Sequence, residues 1–292
     1  MTKLRVVELF GGIGACSKAL ERLKIDFEIV DYVEIDKYAV KSFNALHNTN
    51  FETQDICSWN KNLKDIDLVV HGSPCQDISL AGIQKGADKD SGTRSSLMYE
   101  TIRIVEQLKP KFIIWENVKN LLSKKHSHNF DNYLEAMKEL GYNNYYKVLN
   151  ARDYGIPQNR ERVFTISIRK DIDKGSFLFP EKQELKIKLS NLLEEHVDEK
   201  YYLDMNAINK IIYENHPNEK ETIYIKNNTK KGYLKAHNGD GCYISNIDKK
   251  RGTVQQNMIP TLKTSLDIGV VVDDQSTESV GQVFERRQVE KI

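Results

Sequence analysis

The chain has 292 residues, a formal net charge of +1, 39% hydrophobic residues and 29% charged residues. This size and balance predict a globular protein with one large domain and a smaller one. No stretch is apolar and long enough to cross a bilayer, and the N-terminus has no signal-peptide pattern, so we expect a cytoplasmic protein. The four cysteines form no C-x-x-C pair, which argues against a zinc site or a disulfide framework and favours a reducing compartment.

Positive charge is concentrated in one segment of the chain. Residues 220–251 contain eight Lys or Arg against three acidic residues, a local balance of +5 in a chain whose total is +1. A basic segment on a nearly neutral body favours a surface that binds phosphates. A solvated, lysine-rich face is the alternative interpretation, and composition does not separate the two.

Strand-like and helix-like segments alternate through the first 169 residues. This alternation predicts an α/β fold with a doubly wound, mostly parallel sheet covered on both faces. One further strand is expected just before Asp55. The other predicted strands are residues 4–9, 27–33, 67–70, 112–115, 145–150 and 163–168, and the predicted helices are residues 15–23, 37–46, 97–108 and 129–140.

The alternation stops near Arg169, where short β-like pieces replace it at residues 222–225, 242–245 and 268–272. We therefore predict a first domain over residues 1–169 and a smaller, irregular, β-rich domain over residues 170–272. Residues 273–292 are expected to form a polar tail that frays.

A glycine turn, Phe10-Gly11-Gly12-Ile13-Gly14, follows the first predicted strand. Glycines there let the backbone approach a ligand, and the helix that follows offers free N–H groups. The dinucleotide fingerprint G-x-G-x-x-G is incomplete because Ser17 replaces its third glycine, which favours an adenosine-bearing cofactor other than NAD. Glu34 is placed to accept hydrogen bonds from ribose hydroxyls, and Asp55 to hold an adenine amino group. Taken singly, each acid is weak evidence, because an acid at a strand end is more often a helix cap or a solvated residue.

Residues 72–79, Gly-Ser-Pro-Cys-Gln-Asp-Ile-Ser, follow a buried strand at the end where open α/β sheets bind ligands. Cys75 would there be exposed to substrate on a rigid loop, although a free cysteine more often packs as a small apolar side chain. Glu116 ends the strand that begins near residue 112 and could face the same pocket as Cys75. A carboxyl group beside a thiolate could keep its proton and donate it to a ring nitrogen of a base. A capping acid is the simpler alternative for Glu116.

Two arginines in Gln158-Asn159-Arg160-Glu161-Arg162 are predicted to share one face of an extended segment. An arginine directed into a pocket needs a carboxylate, phosphate or carbonyl partner, whereas two solvated arginines are the alternative. The polar, glycine-bearing residues 86–97 suit a mobile loop that closes over a substrate, with an ordinary surface loop as the alternative.

Together, these segments resemble the DNA cytosine-5 methyltransferases of bacterial and phage restriction-modification type. Phe-Gly-Gly-Ile-Gly, Glu34, Asp55, Pro-Cys-Gln, Glu-Asn-Val and Gln-Asn-Arg-Glu-Arg occur in the order found in that family. The resemblance implies a Rossmann-like domain that binds S-adenosylmethionine over residues 1–169. It also implies a target-recognition domain that binds double-stranded DNA over residues 170–272, in a bacterial or phage-infected cell.

The resemblance also implies which residues form the site. Cys75 would be the nucleophile that adds to an extruded cytosine, and Glu116 and Arg162 would hold that base. No metal is expected. S-adenosylmethionine would be bound by Phe10, Gly12, Ile13, Gly14, Glu34, Ile35, Asp55, Ile56, Pro74 and Leu97. The implied substrate contacts are Gln76, Ser79, Arg94, Asn117, Arg160, Lys230, Lys231 and Arg251.

The resemblance is less complete toward the end of the chain. Family members continue past a Pro-Thr-Leu element, here Pro260-Thr261-Leu262, into an Arg-rich segment and a Gly-Asn motif, and no Gly-Asn pair follows Arg251. We expect a second polypeptide to supply the missing helix, with truncation or an enzyme that works without it as alternatives. A tRNA cytosine-5 methyltransferase of the same fold and a DNA-binding subunit of a split enzyme, inactive alone, remain the competing functions.

Overall fold

A computed structural model describes residues 3–74, 94–194, 197–203, 205–212, 222–243, 252–262, 268–272 and 282–285. The chain divides into two compact units. The first unit consists of residues 1–149 and 161–180, and the second unit of residues 150–160 and 181–292. Within the described ranges, no helix has both the length and the apolar character needed to span a membrane.

The first unit alternates strands and helices, as the sequence predicts. The strand expected just before Asp55 is wrong, because residues 48–67 contain no strand. In chain order, the elements are β1 (Leu4–Leu9), α1 (Ala15–Arg22), β2 (Phe27–Val33), α2 (Lys37–His47), β3 (Leu68–His71), α3 (Met98–Leu108), β4 (Phe112–Val118), α4 (Ser127–Glu139), β5 (Tyr142–Asn150), then β6 (Gln158–Asn159) of the second unit, and β7 (Glu161–Arg169).

Local signals in the sequence explain where several of these helices begin and end. Asp36 starts α2, because its carboxylate accepts hydrogen bonds from the N–H groups of Tyr38 and Ala39. Gly141 follows α4 with a φ of 90°, a left-handed conformation that glycine adopts without strain and that ends the helix, as predicted.

The central sheet of the first unit is mostly parallel, which confirms the predicted fold class. Its strand order is β2-β1-β3-β4-β7-β5. Strand β1 is parallel to β2 and β3, and β3 is parallel to β4, whereas β7 is antiparallel to β4. The carboxyl ends of β1, β3 and β4 therefore lie at one edge of the sheet, and β7 begins at the same edge. Side chains from distant parts of the sequence are brought together there.

Apolar side chains cover both faces of this sheet. The main core contains fully buried side chains from β3, β4, α3 and α4, among them Val69, Trp115, Ile104 and Tyr133. Two smaller clusters hold α1 and α2 to the sheet. Leu20 of α1 belongs to a cluster with Val6 and Leu68. Val40 and Phe43 of α2 form a cluster with Tyr32, whose ring stacks on that of Phe43. Each fully buried large side chain stabilises the fold by about 1.5–3 kcal/mol.

The described part of the second unit is β-rich, as predicted. Its elements are α5 (Met205–Ile211), β8 (Ile223–Lys226), β9 (Tyr233–Ala236), β10 (Gly241–Tyr243), β11 (Thr253–Gln255), β12 (Ile259–Pro260), β13 (Ile268–Val272) and β14 (Gln282–Glu285). An antiparallel sheet has the order β11-β10-β13-β14, β8 and β9 form an antiparallel hairpin, and β12 pairs with β6 in parallel.

The fraying tail expected over residues 273–292 is wrong for residues 282–285. These residues form β14, which pairs antiparallel with residues 269–272 of β13. Pairing uses backbone N–H and C=O groups, which every strand edge offers whatever the polarity of its side chains. Composition therefore did not reveal this strand.

Candidate active site

The glycine turn between β1 and α1 has a backbone that few residues other than glycine adopt. Phe10, Gly12 and Gly14 have positive φ angles of 54°, 54° and 86°. A side chain at Gly14 would collide with the imidazole of His47, whereas an added Cβ at Gly12 would have no atom within 4 Å. A ligand can therefore approach the backbone closely at Gly12.

Polar side chains from the neighbouring strand hold this turn. Glu34 Oε2 accepts a hydrogen bond from the Gly12 N–H at 3.1 Å, and Oε1 accepts one from the Asp36 N–H at 2.9 Å. The Tyr32 hydroxyl donates to the Gly12 carbonyl at 2.6 Å. Each carboxylate oxygen has two acceptor sites, so Glu34 can hold the turn and still accept hydrogen bonds from ribose hydroxyls.

Two apolar side chains beside these groups are exposed. Ile13 lies in the glycine turn and is 57% exposed, and Ile35 follows Glu34 and is 68% exposed. Ligand sites combine apolar side chains with a few oriented polar groups, and Ile13 and Ile35 supply exposed apolar surface beside this turn. The described residues contain no cluster of His, Cys, Asp and Glu that could hold a metal ion.

A buried carboxylate that the sequence analysis missed lies beneath the turn. Glu8 in β1 is 2% exposed, and its Oε1 accepts hydrogen bonds from the Ser17 N–H at 3.0 Å and from the Ser17 hydroxyl. Burial raises the pKa of Glu8, and the bonds from Ser17 act in the opposite direction. Ser17, which interrupts the dinucleotide fingerprint, thus has a specific partner. The one signal in the sequence was a charged residue inside an apolar strand.

Side chains of β4 fix the turn that follows β3. Ser73 is buried, and its Oγ accepts hydrogen bonds from Trp115 Nε1 at 3.0 Å and from Asn117 Nδ2 at 3.4 Å. Asn117 Nδ2 also donates to the Ser73 carbonyl at 3.3 Å, and Asn117 Oδ1 accepts from the Val118 N–H at 2.8 Å. Asn117, an implied substrate contact, is 3% exposed. Its amide orients the backbone immediately before Pro74.

The structure brings Glu116 and Arg162 together beside the same turn. Arg162 Nε lies 3.0 Å from Glu116 Oε1, and Arg162 Nη1 donates to the Glu161 carbonyl at 2.8 Å. A Cβ added to Gly72 would lie 4.0 Å from Glu116 Oε2. The guanidinium and carboxylate therefore form an oriented pair at the end of β4, next to the turn that leads toward Cys75.

The predicted nucleophile lies outside the described residues, as do Gln76, Ser79, Arg251 and the side chain of Arg94. Pro74 and Leu97, the implied cofactor contacts on either side of this gap, are both partly exposed. Leu97 packs against the main core, as Phe10 does.

Asp55 and Ile56, the remaining implied cofactor contacts, differ in their exposure. Asp55 is exposed, and its Oδ1 accepts a hydrogen bond from the Cys57 N–H at 2.9 Å. Ile56 is 5% exposed and belongs to the main core. Asp55 is therefore the one of the two whose side chain is open to a ligand.

The implied substrate contacts of the second unit lie in two places. The Arg160 N–H donates to Asn150 Oδ1 at 3.1 Å, and the Arg160 carbonyl accepts from the Ala151 N–H at 3.0 Å. Lys230 and Lys231 are exposed in the turn between β8 and β9. The backbone of Arg160 is thus anchored, and the two lysines are open to phosphates.

Comparisons with known proteins identify the family. The sequence model for C-5 cytosine-specific DNA methylase matches residues 4–286. A type II methyltransferase of Lactococcus lactis subsp. cremoris, M2.ScrFI, is 39% identical in an alignment that covers 70% of this chain and 71% of that protein. An orphan methyltransferase of Bacillus phage rho11s, M.Rho11sI, is 33% identical in an alignment that covers 92% of this chain and 59% of that protein.

Solved structures share the fold. A methyltransferase of Entamoeba histolytica, EhMeth, superposes with a TM-score of 0.59 at 22% identity, covering 73% of this chain and 68% of that chain. A DNMT2 variant of Spodoptera frugiperda superposes with a TM-score of 0.58 at 23% identity, covering 72% of this chain and 66% of that chain. Because the family model matches nearly the whole chain and the two curated relatives above are at least 33% identical to it in their alignments, the chain belongs to the family of C-5 cytosine-specific DNA methylases.

Proposed function

We propose that the chain transfers a methyl group from S-adenosylmethionine to C5 of a cytosine at a specific site in duplex DNA. The reaction would pass through a covalent bond between Cys75 and C6 of that cytosine. The observation that carries the proposal is the ion pair between Glu116 and Arg162, oriented beside the turn that precedes Cys75, in a chain of the DNA methylase family.

The residues around the glycine turn fit S-adenosylmethionine. The backbone at Gly12 is open to a ligand, and Glu34 has acceptor sites for ribose hydroxyls. Ile13 and Ile35 offer exposed apolar surface for the adenine ring, and Asp55 offers a carboxylate for its amino group. When bound, S-adenosylmethionine supplies an electrophilic methyl group.

The residues at the ends of β3 and β4 would make C5 of cytosine reactive. Addition of the Cys75 thiolate to C6 breaks the C5–C6 double bond and moves its electron pair toward C5. Glu116 would hydrogen-bond ring N3, and the guanidinium of Arg162 would hold Glu116 and contact the base carbonyl. After methylation, loss of the C5 proton and expulsion of the Cys75 thiolate restore the double bond and the free enzyme.

The target cytosine must leave the base stack to reach these groups. Extrusion costs about a few kcal/mol, which contacts with the DNA backbone must offset. Lys230 and Lys231 are exposed and would bind phosphates, which position the duplex without reading its sequence.

Trapping on a duplex that contains 5-fluorocytosine tests the proposal. After methyl transfer, fluorine at C5 cannot leave as a proton, so in the presence of S-adenosylmethionine we expect a covalent complex that mass spectrometry assigns to Cys75. Cys75→Ser is the control, and it should bind DNA without forming the complex. A parallel arm with added cell extract tests the expected second polypeptide. Absence of the complex in both arms, or methylation of tRNA alone, would contradict the proposal.

A further inference from the structure

A segment without strand structure carries two of the implied contacts of the methyl donor. Residues 54–61 lie between α2 and β3 and include Asp55 and Ile56. Since residues 48–67 form no strand, the hydrogen bonds of a sheet do not fix this segment. Side chains of β2 and α3 bind it instead.

On one side, a single buried carboxylate binds three side chains of the segment. Asp31 in β2 is 2% exposed. Its Oδ1 accepts hydrogen bonds from Gln54 Nε2 at 2.9 Å and from Lys61 Nζ at 2.8 Å, and its Oδ2 accepts one from Trp59 Nε1 at 2.6 Å. A buried carboxylate is stable only when donors such as these compensate for its lost hydration.

On the other side, α3 binds backbone carbonyls of the segment. Arg103 Nη1 donates to the Trp59 carbonyl at 2.8 Å, and Nη2 donates to the Ile56 carbonyl at 2.9 Å. Glu100 orients the same guanidinium through a 2.8 Å bond to Arg103 Nε. A cavity of about 600 Å³ adjoins these bonds and is lined by Trp59 and Arg103 among others. These hydrogen bonds therefore fix the backbone of a segment whose Ile56 and Trp59 side chains are buried in the main core.

We propose that Asp31 and Arg103 are positioning residues for the methyl donor. They hold residues 54–61 in the conformation that presents the exposed side chain of Asp55 to the adenine ring. This inference rests on the proposed function, because it presupposes S-adenosylmethionine at that site. Neither residue is placed to touch the reacting atoms, so their loss weakens donor binding and leaves the rate at saturating donor nearly unchanged.

Calorimetric binding of S-adenosylhomocysteine to the purified full chain tests the inference without turnover. Arg103→Gln removes the guanidinium that donates to two backbone carbonyls. Asp31→Asn replaces one acceptor oxygen with an NH2 group, which cannot accept hydrogen bonds from the donors that face it. Each substitution should raise the Kd about tenfold, which corresponds to about 1.4 kcal/mol. In methylation assays, the KM for the donor should rise to match, while kcat should change by less than about twofold.

Arg169 and Asp67 provide matched controls, because they make the same kinds of hydrogen bonds at the opposite edge of the sheet. Arg169 donates to the Lys109 carbonyl at 2.6 Å and pairs with Asp171. Asp67 accepts from the Arg5 N–H at 2.9 Å and from Lys111 Nζ at 2.7 Å. Arg169→Gln and Asp67→Asn should lower stability without changing the Kd, because neither residue contacts residues 54–61.

The outcomes separate the inference from the function on which it rests. An unchanged Kd in Arg103→Gln and Asp31→Asn, or an equal rise in both controls, would overturn the positioning role even if the wild type methylates DNA. A wild type that neither binds S-adenosylhomocysteine nor forms the Cys75 complex would overturn the function itself. Lys61→Gln removes one half-exposed donor to Asp31 and decides the question if Arg103→Gln and Asp31→Asn do not fold. It should raise the Kd about two- to threefold, and no rise would count against the inference.

Discussion

Replacing Ser17 with alanine should destabilise the first unit by a predictable amount. The substitution removes the hydroxyl that donates to Glu8 and keeps the backbone N–H bond at 3.0 Å. Ser17 is 0% exposed and Glu8 is 2% exposed, so water does not replace the lost donor. Leaving a buried acceptor without one of its donors costs about 1–3 kcal/mol, so we expect the free energy of unfolding to fall by about 2 kcal/mol at neutral pH.

The loss should depend on pH in a definite direction. Burial raises the pKa of Glu8 above its ordinary value, so the folded state binds this proton more tightly than the unfolded chain does. The contribution of Glu8 to stability is therefore fully present below its unfolded pKa and is lost as the pH rises through its folded pKa. Because the Ser17 hydroxyl lowers that pKa, removing it raises the pKa further. The cost of Ser17→Ala should thus be larger near pH 7.5 than near pH 5.

Urea unfolding followed by tryptophan fluorescence measures this difference. The two tryptophans, Trp59 and Trp115, both belong to the first unit, so their emission reports its unfolding. In a Glu8→Gln background the acceptor carries no charge, and Ser17→Ala should cost only about 1 kcal/mol. Equal losses at both pH values and in both backgrounds would refute the reasoning. Ser17→Gly, which completes the dinucleotide fingerprint, should cost about 1 kcal/mol more than Ser17→Ala, because glycine weakens a helix.

Three further predictions concern the site and the DNA-binding surface. Asn117→Leu removes the amide that holds Ser73, so kcat should fall about 100-fold with an unchanged Kd for S-adenosylhomocysteine; a normal kcat in steady-state methylation would contradict this. Arg162→Lys replaces a planar fork with a point charge, and kcat/KM for DNA should fall about 100-fold or more, whereas wild-type kinetics would count against the assigned role. Lys230→Gln combined with Lys231→Gln should reduce the slope of log Kd against log salt by about 2 in a DNA-binding titration, and an unchanged slope would exclude phosphate contacts by this turn.

The sequence by itself determined the alternation of strands and helices in the first unit. Apolar runs, periodic apolar residues and stop signals such as Gly141 are local, and they act over a few residues of one element. Parallel strands then bring their carboxyl ends to one edge, so residues at strand ends could be assigned to one site before any contact was known. The proximity of Glu116 to the turn after β3 follows from this rule.

Only the tertiary structure decided which side chains hold that site in place. Ser17 binds Glu8, Asn117 binds Ser73, and Asp31 binds Trp59, partners separated by 9, 44 and 28 residues. The tertiary structure also decided that side chains fix residues 54–61, where a strand was expected. It likewise decided that β14 pairs with its neighbour through backbone groups. Contacts between residues far apart in the chain leave no periodic pattern in composition, because they depend on where the folded elements meet. The positions of these contacts were therefore determined by the tertiary structure and not by any local pattern in the sequence.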